Sequence, residues 1–487
     1  MSRSARPHET FGLAPLRQLA NQAFSRASGA PLREGNAVRL LTDAAENYPA
    51  WLEAIDAARE RISLEMYIVH GDAQGERFAE ALARKAREGV RVRVLYDWLG
   101  GFAKTSPFFW RRLRAAGAEV RVYNRPRPDQ PLGWLYRDHR KLIAVDDTVG
   151  FVTGLCIGKA WVGDPDRGVE PWRDTGLEIR GPAVVDLVDA FADSWAATGE
   201  PLPDADRTNV VPSPAGEVAL RVVAGTPNTA GLLRVDQLVA AMAQKTLWLT
   251  DAYYAGTTSY VQALRAAAAD GVDVRLLVPG ASDIPALGPI SRSGYRPLLE
   301  GGIRVFEWNG SMLHAKTAVA DGRWARVGST NLNIASWIGN RELDVVVEDA
   351  GFAGQMEAMF VADLERATEI VLDQRHRVRA PSASTPGLQP PPESHVGSRH
   401  RRAGGSGGRM MSGAARIGST VTAAMTNRRV LESVEAHIAL LAGGLLALVA
   451  FLTWYYPRGV AYPIAVIAAW FAVALLIRGI IAVRQRR

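Results

Sequence analysis

Two segments of this chain share one spacing. His139-Arg140-Lys141-Leu142-Ile143-Ala144-Val145-Asp146 and His314-Ala315-Lys316-Thr317-Ala318-Val319-Ala320-Asp321 both read H-x-K-x-x-x-x-D, 175 residues apart. A separate echo links Gly89-Val90-Arg91-Val92-Arg93-Val94-Leu95 to Gly271-Val272-Asp273-Val274-Arg275-Leu276-Leu277, 182 residues apart. With only 8 histidines in 487 residues, two matches at nearly equal offsets mark an internal duplication.

Each copy alternates between two periods. Residues 54–61 read as helix, 62–69 as extended chain, 75–88 as helix and 90–96 as a β-branched strand. In the second copy a helix at 235–244 precedes a strand at 247–249, and a helix at 260–269 leads to a strand at 272–278. This predicts an α/β fold of two similar halves, 36–212 and 213–373, each a β-sheet flanked by helices. Ahead of them lies an N-terminal segment, 1–35, where Phe11, Leu16, Leu19 and Phe24 give a short helix one packing face. Arginines interrupt that segment throughout, so no secretory signal is expected and the body is expected to be cytoplasmic. A single cysteine excludes an intrachain disulfide.

Charge is unevenly placed. The formal net charge is +7, but residues 374–430 hold ten arginines against Glu393 alone, and residues 431–487 hold five against Glu432 and Glu435. About −5 is left for residues 1–373. A nucleic-acid-binding body would carry its own positive surface, whereas a basic segment beside an anchor is drawn to anionic lipid. Prolines followed by a Gly/Ser/Arg run make 374–430 a disordered basic linker. Residues 438–456 and 460–477 carry no charge, and each run is long enough to cross a hydrocarbon core about 30 Å thick. Arginines Arg428, Arg429, Arg484, Arg486 and Arg487 flank the outer ends, while the turn between the runs offers Arg458. A two-helix transmembrane hairpin at 431–487 is therefore predicted, multi-pass in the cell inner membrane with body and both termini cytoplasmic.

His and Lys two apart on an extended strand share a face. Asp146-Asp147 and Asp321-Gly322 are turn formers at that strand's end, with return strands at 149–153 and 324–328, so Asp146 and Asp321 read as structural. Two such halves face to face place two imidazoles and two ammoniums around one anion. That suits a phosphodiester, with one imidazole to attack phosphorus, one to protonate the leaving alcohol, and fixed cations for the developing charge. No metal and no cofactor is expected, because the matched carboxylates lie beyond the strand and no Cys/His cluster accompanies them.

On these motifs the chain, over about residues 36–373, resembles the phospholipase D superfamily. The second copy continues into Gly328-Ser329-Thr330-Asn331-Leu332-Asn333 and Asn340-Arg341-Glu342, similar to the family's phosphate-binding Gly-Ser-x-Asn and its histidine-orienting acid. The first continues into Thr153-Gly154-Leu155-Cys156-Ile157-Gly158 and Trp172-Arg173-Asp174, with Cys156 where the family has asparagine. The resemblance implies that His139 is the nucleophile forming a phosphohistidine and that His314 is the acid, later the base; the residues by themselves leave that assignment open. It also implies that Lys141, Lys316, Ser329 and Asn331 hold the phosphoryl oxygens and that Asp174 and Glu342 orient the imidazoles.

Residues 295–303 and Met312-Leu313-His314 resemble bacterial cardiolipin synthases, which pass a phosphatidyl group to the glycerol hydroxyl of a second phosphatidylglycerol. The typical bacterial enzyme carries its spans before the catalytic body; here the apolar runs follow it. The expectation is a membrane-anchored phosphatidyltransferase acting on phospholipid, phosphatidylglycerol first among them, at an anionic membrane surface and without nucleic acid. A phospholipase D hydrolysing phospholipids to phosphatidic acid, and a nuclease or other phosphodiesterase, would use the same residues and stand as alternatives.

Overall fold

A computed structural model describes residues 13–126, 135–206, 211–284, 287–372 and 378–379, with scattered positions between 444 and 470. The first half contributes strands β1 (Arg33–Thr42), β2 (Arg61–Met66), β3 (Arg91–Asp97), β4 (Glu119–Tyr123), β5 (Lys141–Val145), β6 (Val149–Thr153) and β7 (Thr175–Arg180). The second contributes β8 (Val218–Gly225), β9 (Thr246–Thr250), β10 (Asp273–Pro279), β11 (Arg304–Trp308), β12 (Thr317–Ala320), β13 (Trp324–Gly328) and β14 (Glu342–Val347), followed by β15 (Ala367–Leu372) and β16 (Val378–Arg379).

β1 pairs with β8, and from that seam the order outward is β7-β6-β5-β2-β3-β4 on one side and β14-β13-β12-β9-β10-β11 on the other. Strands β1–β7 thus each have a counterpart among β8–β14 at the same distance from the seam, while β15 and β16 extend the second wing beyond β11. In both wings the outer strands are parallel and joined by helices, Ala73–Arg87 between β2 and β3 and Thr258–Ala269 between β9 and β10. The inner strands are antiparallel, and tight turns join β5 to β6 and β12 to β13.

Strands β5 and β14 are buried along their whole length, which is why they read as continuous apolar runs without alternation. Helix Asp43–Ala57 covers one wing through Tyr48 and Trp51, and Tyr260 with Leu264 covers the other. A third core belongs to neither half alone. There Leu142, Val152 and Leu177 meet Val327, Leu343 and Val345, between helices Val184–Ala196 and Ala350–Leu364. Each such side chain contributes about 1.5–3 kcal/mol when fully buried, so docking of the halves is part of folding.

Several boundaries differ from the sequence reading. β1 starts at Arg33, inside the segment assigned to the N-terminus. The first helix of the body spans Asp43–Ala57 and not 54–61, because the amides of Arg59, Glu60 and Arg61 are held extended by the Asp146 carboxylate. Helix Leu13–Ser28 packs on helix Gly231–Met242 of the second half, with Phe24 buried and Leu19 61% exposed. Arg221 selects that face by donating to Ser25 Oγ at 3.0 Å and to Asn21. The side chains of Phe11 and Leu16 lie outside the described residues. Within the stretch read as a disordered linker, Val378–Arg379 turns back as β16 onto Val371 and Leu372. The rest of that linker and most of the apolar hairpin lie outside the described residues, among which no helix is long and apolar enough to cross a membrane.

Candidate active site

The two motifs end in matching turns. Asp146 and Asp147 (φ 51° and 54°) and Asp321 and Gly322 (φ 52° and 60°) occupy the left-handed region, where Asp and Gly are tolerated. Asp146 accepts from the amides of Arg59, Glu60 and Arg61, each at 2.8 Å. Asp321 does the same for Gln244, Lys245 and Thr246 at 2.9, 2.7 and 3.0 Å. Both carboxylates thereby fix the entry of the neighbouring strand, β2 or β9, at the end of the hairpin remote from the histidines.

The histidines precede their strands, since β5 begins at Lys141 and β12 at Thr317. The reason is that each histidine's backbone pairs with the other half. His139 N donates to Arg341 O at 2.9 Å, and His314 N donates to Arg173 O at 2.7 Å. The next residue after each arginine is an acid, so the carboxylates cross over. His139 Nδ1 lies 2.9 and 3.1 Å from Glu342 Oε2 and Oε1, and His314 Nδ1 lies 2.7 Å from Asp174 Oδ2. Holding Nδ1–H on a carboxylate leaves Nε2, on the far side of each ring, with its lone pair.

The supports of the two acids differ. Glu342 also accepts from Ser329 Oγ at 2.5 Å and Asn340 Nδ2 at 3.0 Å. Asp174 accepts from Trp161 Nε1 at 3.1 Å and Thr175 N at 2.9 Å. Gly154 stands 175 residues before Ser329, and a Cβ there would lie 2.1 Å from Asp174 Oδ1. Glycine is required because the carboxylate fills that space.

Lys141 Nζ donates to His139 O at 2.5 Å and sits 5.3 Å from the Tyr67 ring centroid. Lys316 Nζ donates to His314 O, lies 2.9 Å from His314 Nδ1 and sits 5.8 Å from the Tyr253 ring. The ammonium of each half also acts electrostatically on the histidine of the other, which places all four groups in one site. Burial holds both imidazoles below their ordinary pKa; Glu342 opposes this at His139, and Lys316 reinforces it at His314. Burial also lowers the Lys316 ammonium. Both carboxyls stay below their ordinary range, because the facing histidine and lysine charges outweigh the effect of burial. Burial thus favours neutral imidazoles, while the lysine charges favour ionised acids.

Of the remaining predicted residues, Ser329 serves Glu342, and Asn331 is buried with its Oδ1 unbonded among the described residues. Cys156 is buried, and burial raises its thiol pKa against the pull of the Lys141 and Lys316 charges. No group of three His, Cys, Asp or Glu side chains able to hold a metal occurs among the described residues.

Sequence reasoning missed the aromatic walls and the straps. Tyr67 packs on His139 at 4.8 Å, while Trp161, Trp172 and Tyr253 surround His314 at 5.6–5.8 Å. Tyr67 and Tyr253 were findable, since each follows the first parallel strand of its half. Arg173 is held by Asp363 at 2.8 and 2.9 Å and by Asp43 at 3.1 Å, and Arg341 by Asp193 at 2.5 Å, fixing the backbone that bears each acid. Arg140, between His139 and Lys141, is wholly buried and donates to the carbonyls of Glu342, Ala190 and Gly225, tying the halves together.

The chain is similar to known proteins. A family model described as "Cardiolipin synthase, PLD-like domain" matches residues 51–162 and 239–364. Cardiolipin synthase A of Pseudomonas aeruginosa is 35% identical over 369 residues, 74% of this chain and 73% of that protein. Cardiolipin synthase of Alkalihalophilus pseudofirmus is 33% identical over 347 residues, 70% of this chain and 68% of that protein. The crystal structure of phosphatidylserine synthase from Haemophilus influenzae superposes with a TM-score of 0.56 at 16% identity, over 72% of this chain and 91% of that one, a likeness of fold.

Proposed function

Because the chain belongs to the cardiolipin synthase family of phospholipase D-like enzymes, we propose that it transfers a phosphatidyl group from one phosphatidylglycerol to the glycerol hydroxyl of another through a phosphohistidine. The observation that carries the mechanism is the crossed pairing, in which each imidazole has its Nδ1 held by a carboxylate of the opposite half.

Nε2 of His139 attacks phosphorus while Lys141, Lys316 and Asn331 face the phosphoryl oxygens. The bond from phosphorus to the glycerol oxygen breaks, and His314 gives its proton to that leaving alcohol. The imidazolium formed at His139 is stabilised by Glu342, as the second is by Asp174. His314, now neutral, takes the proton of an incoming hydroxyl whose oxygen attacks phosphorus and releases His139. The aromatic walls exclude water from the intermediate, which favours an alcohol as acceptor.

The body works at the membrane it modifies. The charge-free stretches 438–456 and 460–477 form a hairpin anchor in the inner membrane, the basic linker 374–430 lies on anionic lipid, and the two halves 36–212 and 213–373 with both termini face the cytoplasm. In support, Trp454, Tyr455 and Tyr456 precede Pro457 between the two runs, aromatic residues of the kind that settle at a membrane interface.

The test is full-length protein in phosphatidylglycerol vesicles with products identified by mass spectrometry. Cardiolipin with free glycerol is expected; phosphatidic acid alone would make water the acceptor and the protein a hydrolase.

A further inference from the structure

The first half holds a second place suited to an anion. Helices Trp98–Gly101 and Pro107–Ala115 follow β3 and border a cavity of about 600 Å³. Tyr96 stacks on Trp110 in its wall, 4.2 Å between centroids and 6° from parallel. Lys104, Arg111, Arg114 and Arg125 line it, all four exposed. Arg112, on the same helix, is matched by Glu76, but none of these four is held by a carboxylate among the described residues.

A helix bordering the cavity packs on a residue of the reacting centre. A Cβ on Gly100 would lie 2.2 Å from Tyr67 O, so helix Trp98–Gly101 rests directly on Tyr67, whose ring meets His139. Asp97, capping that helix, accepts from Asp138 N at 2.9 Å. Tyr67 thus touches both the helix that borders the cavity and the ring of His139. Phe102, 59% exposed, lines the cavity, and Phe108, equally exposed, has its ring 5.9 Å from the Arg111 guanidinium, so both offer apolar surface beside the cations.

The duplicated fold supplies its own control. After β10, the matching place in the second half is a cavity of about 310 Å³, where Arg292 is bound by Glu307 at 2.7 and 2.8 Å. Its cation is neutralised from within, so the two halves have diverged at this place too, while keeping their imidazole, ammonium and carboxylate.

We infer that the first-half cavity binds the phosphodiester of the acceptor phospholipid, with the cations on its phosphate, its acyl chains along Phe102 and Phe108, and its glycerol hydroxyl directed past Tyr67 to the phosphorus on His139. The inference rests on the transferase reading and adds where the second lipid sits. In the step it serves, the acceptor O–H gives its proton to His314, the new O–P bond forms, and the P–N bond to His139 breaks. An acceptor carrying a phosphate three carbons from its hydroxyl is thereby preferred over a neutral alcohol, because guanidinium and ammonium groups grip phosphate strongly.

The experiment compares full-length parent with K104Q/R111Q and R114Q/R125Q in vesicles of phosphatidylglycerol diluted in phosphatidylcholine, with ethanol as a competing neutral acceptor. The expected result is at least a tenfold fall in the ratio of cardiolipin to phosphatidylethanol, expressed in the KM for phosphatidylglycerol as acceptor. An unchanged ratio overturns the inference, and so does an equal fall of both products, which would assign the cations to donor or membrane binding. Arg114 also donates to Val120 O at 3.0 Å, so K104Q/R111Q, which breaks no bond of that kind, decides if R114Q/R125Q misfolds. If the parent makes no cardiolipin at all, the transferase reading fails first and this one with it.

Discussion

Replacing Glu342 with glutamine tests the crossed pairing most directly. The carboxylate is fully buried and receives three donors: His139 Nδ1–H at 2.9 Å, Ser329 Oγ–H at 2.5 Å and Asn340 Nδ2–H at 3.0 Å. An ionised carboxylate is acceptor-only and satisfies all three; an amide has one acceptor oxygen and turns its own N–H groups on at least one donor. A hydrogen bond to a charged group contributes about 1.5–3 kcal/mol. Here the charge matters most when the His139 ring becomes cationic on bonding phosphorus. Loss of that stabilisation, with a donor–donor clash added, raises the barrier by about 3–5 kcal/mol, roughly 10²- to 10⁴-fold in kcat. The assay is the initial rate of cardiolipin formation in phosphatidylglycerol vesicles, with thermal melting followed by circular dichroism to establish folding and acid-free quenching to quantify the phosphohistidine. The E342Q protein should fold, bind vesicles and accumulate little intermediate. A folded E342Q protein with kcat within tenfold of the parent would refute the argument that Glu342 orients and stabilises His139.

Three further outcomes follow from the geometry. G154A should lose at least tenfold in kcat, because its methyl group would displace the Asp174 carboxylate that holds His314; parent-like turnover would show that Asp174 has room to move. D146A and D321A each remove a carboxylate from three backbone amides and should destabilise the fold by about 1–3 kcal/mol, read as a lower urea midpoint with KM unchanged. Loss of turnover at an unchanged midpoint would instead give those acids a chemical role. On the acid side, kcat/KM should fall only below the ordinary imidazole value of about 6.5, because burial keeps the attacking imidazole, His139 in the proposed mechanism, neutral further down in pH. The same depression, shared by His314, makes the unfolded chain bind protons first, so these two groups cost stability as pH drops below about 6.5. An acid limb centred above pH 7 would contradict the neutral-imidazole picture.

The duplication, the α/β alternation and both return strands could be read from spacing, because hairpin turns and same-face pairs are local. β6 and β13 fall at 149–153 and 324–328, where the turn residues placed them. The starts of the motif strands were misplaced for the opposite reason. His139 and His314 leave their own sheets to pair with Arg341 and Arg173, contacts between residues 202 and 141 positions apart in sequence, which local periodicity does not encode. Trp161 carries no local signal either, since its role arises when a loop brings its indole N–H to Asp174. Arg140 shows the limit most clearly. As the variable position of H-x-K it offers no pattern, yet it is wholly buried and joins three carbonyls from separate segments.

Symmetry of fold does not make the two imidazoles equivalent. Lys316 stands 2.9 Å from His314 Nδ1, whereas Lys141 reaches only the carbonyl of His139. A nearby ammonium disfavours an imidazolium, so His314 is the harder of the two to protonate while the site is empty, despite its 2.7 Å contact with Asp174. A phosphodiester seated between Lys141 and Lys316 brings a negative charge that offsets theirs and raises the proton affinity of His314. The acid required to expel the leaving alcohol is therefore favoured when substrate is bound, and His139, under the weaker of the two ammonium fields, keeps a neutral Nε2 for attack. In the proposed mechanism, divergence around a duplicated motif in this way separates a general acid from a nucleophile without changing either residue.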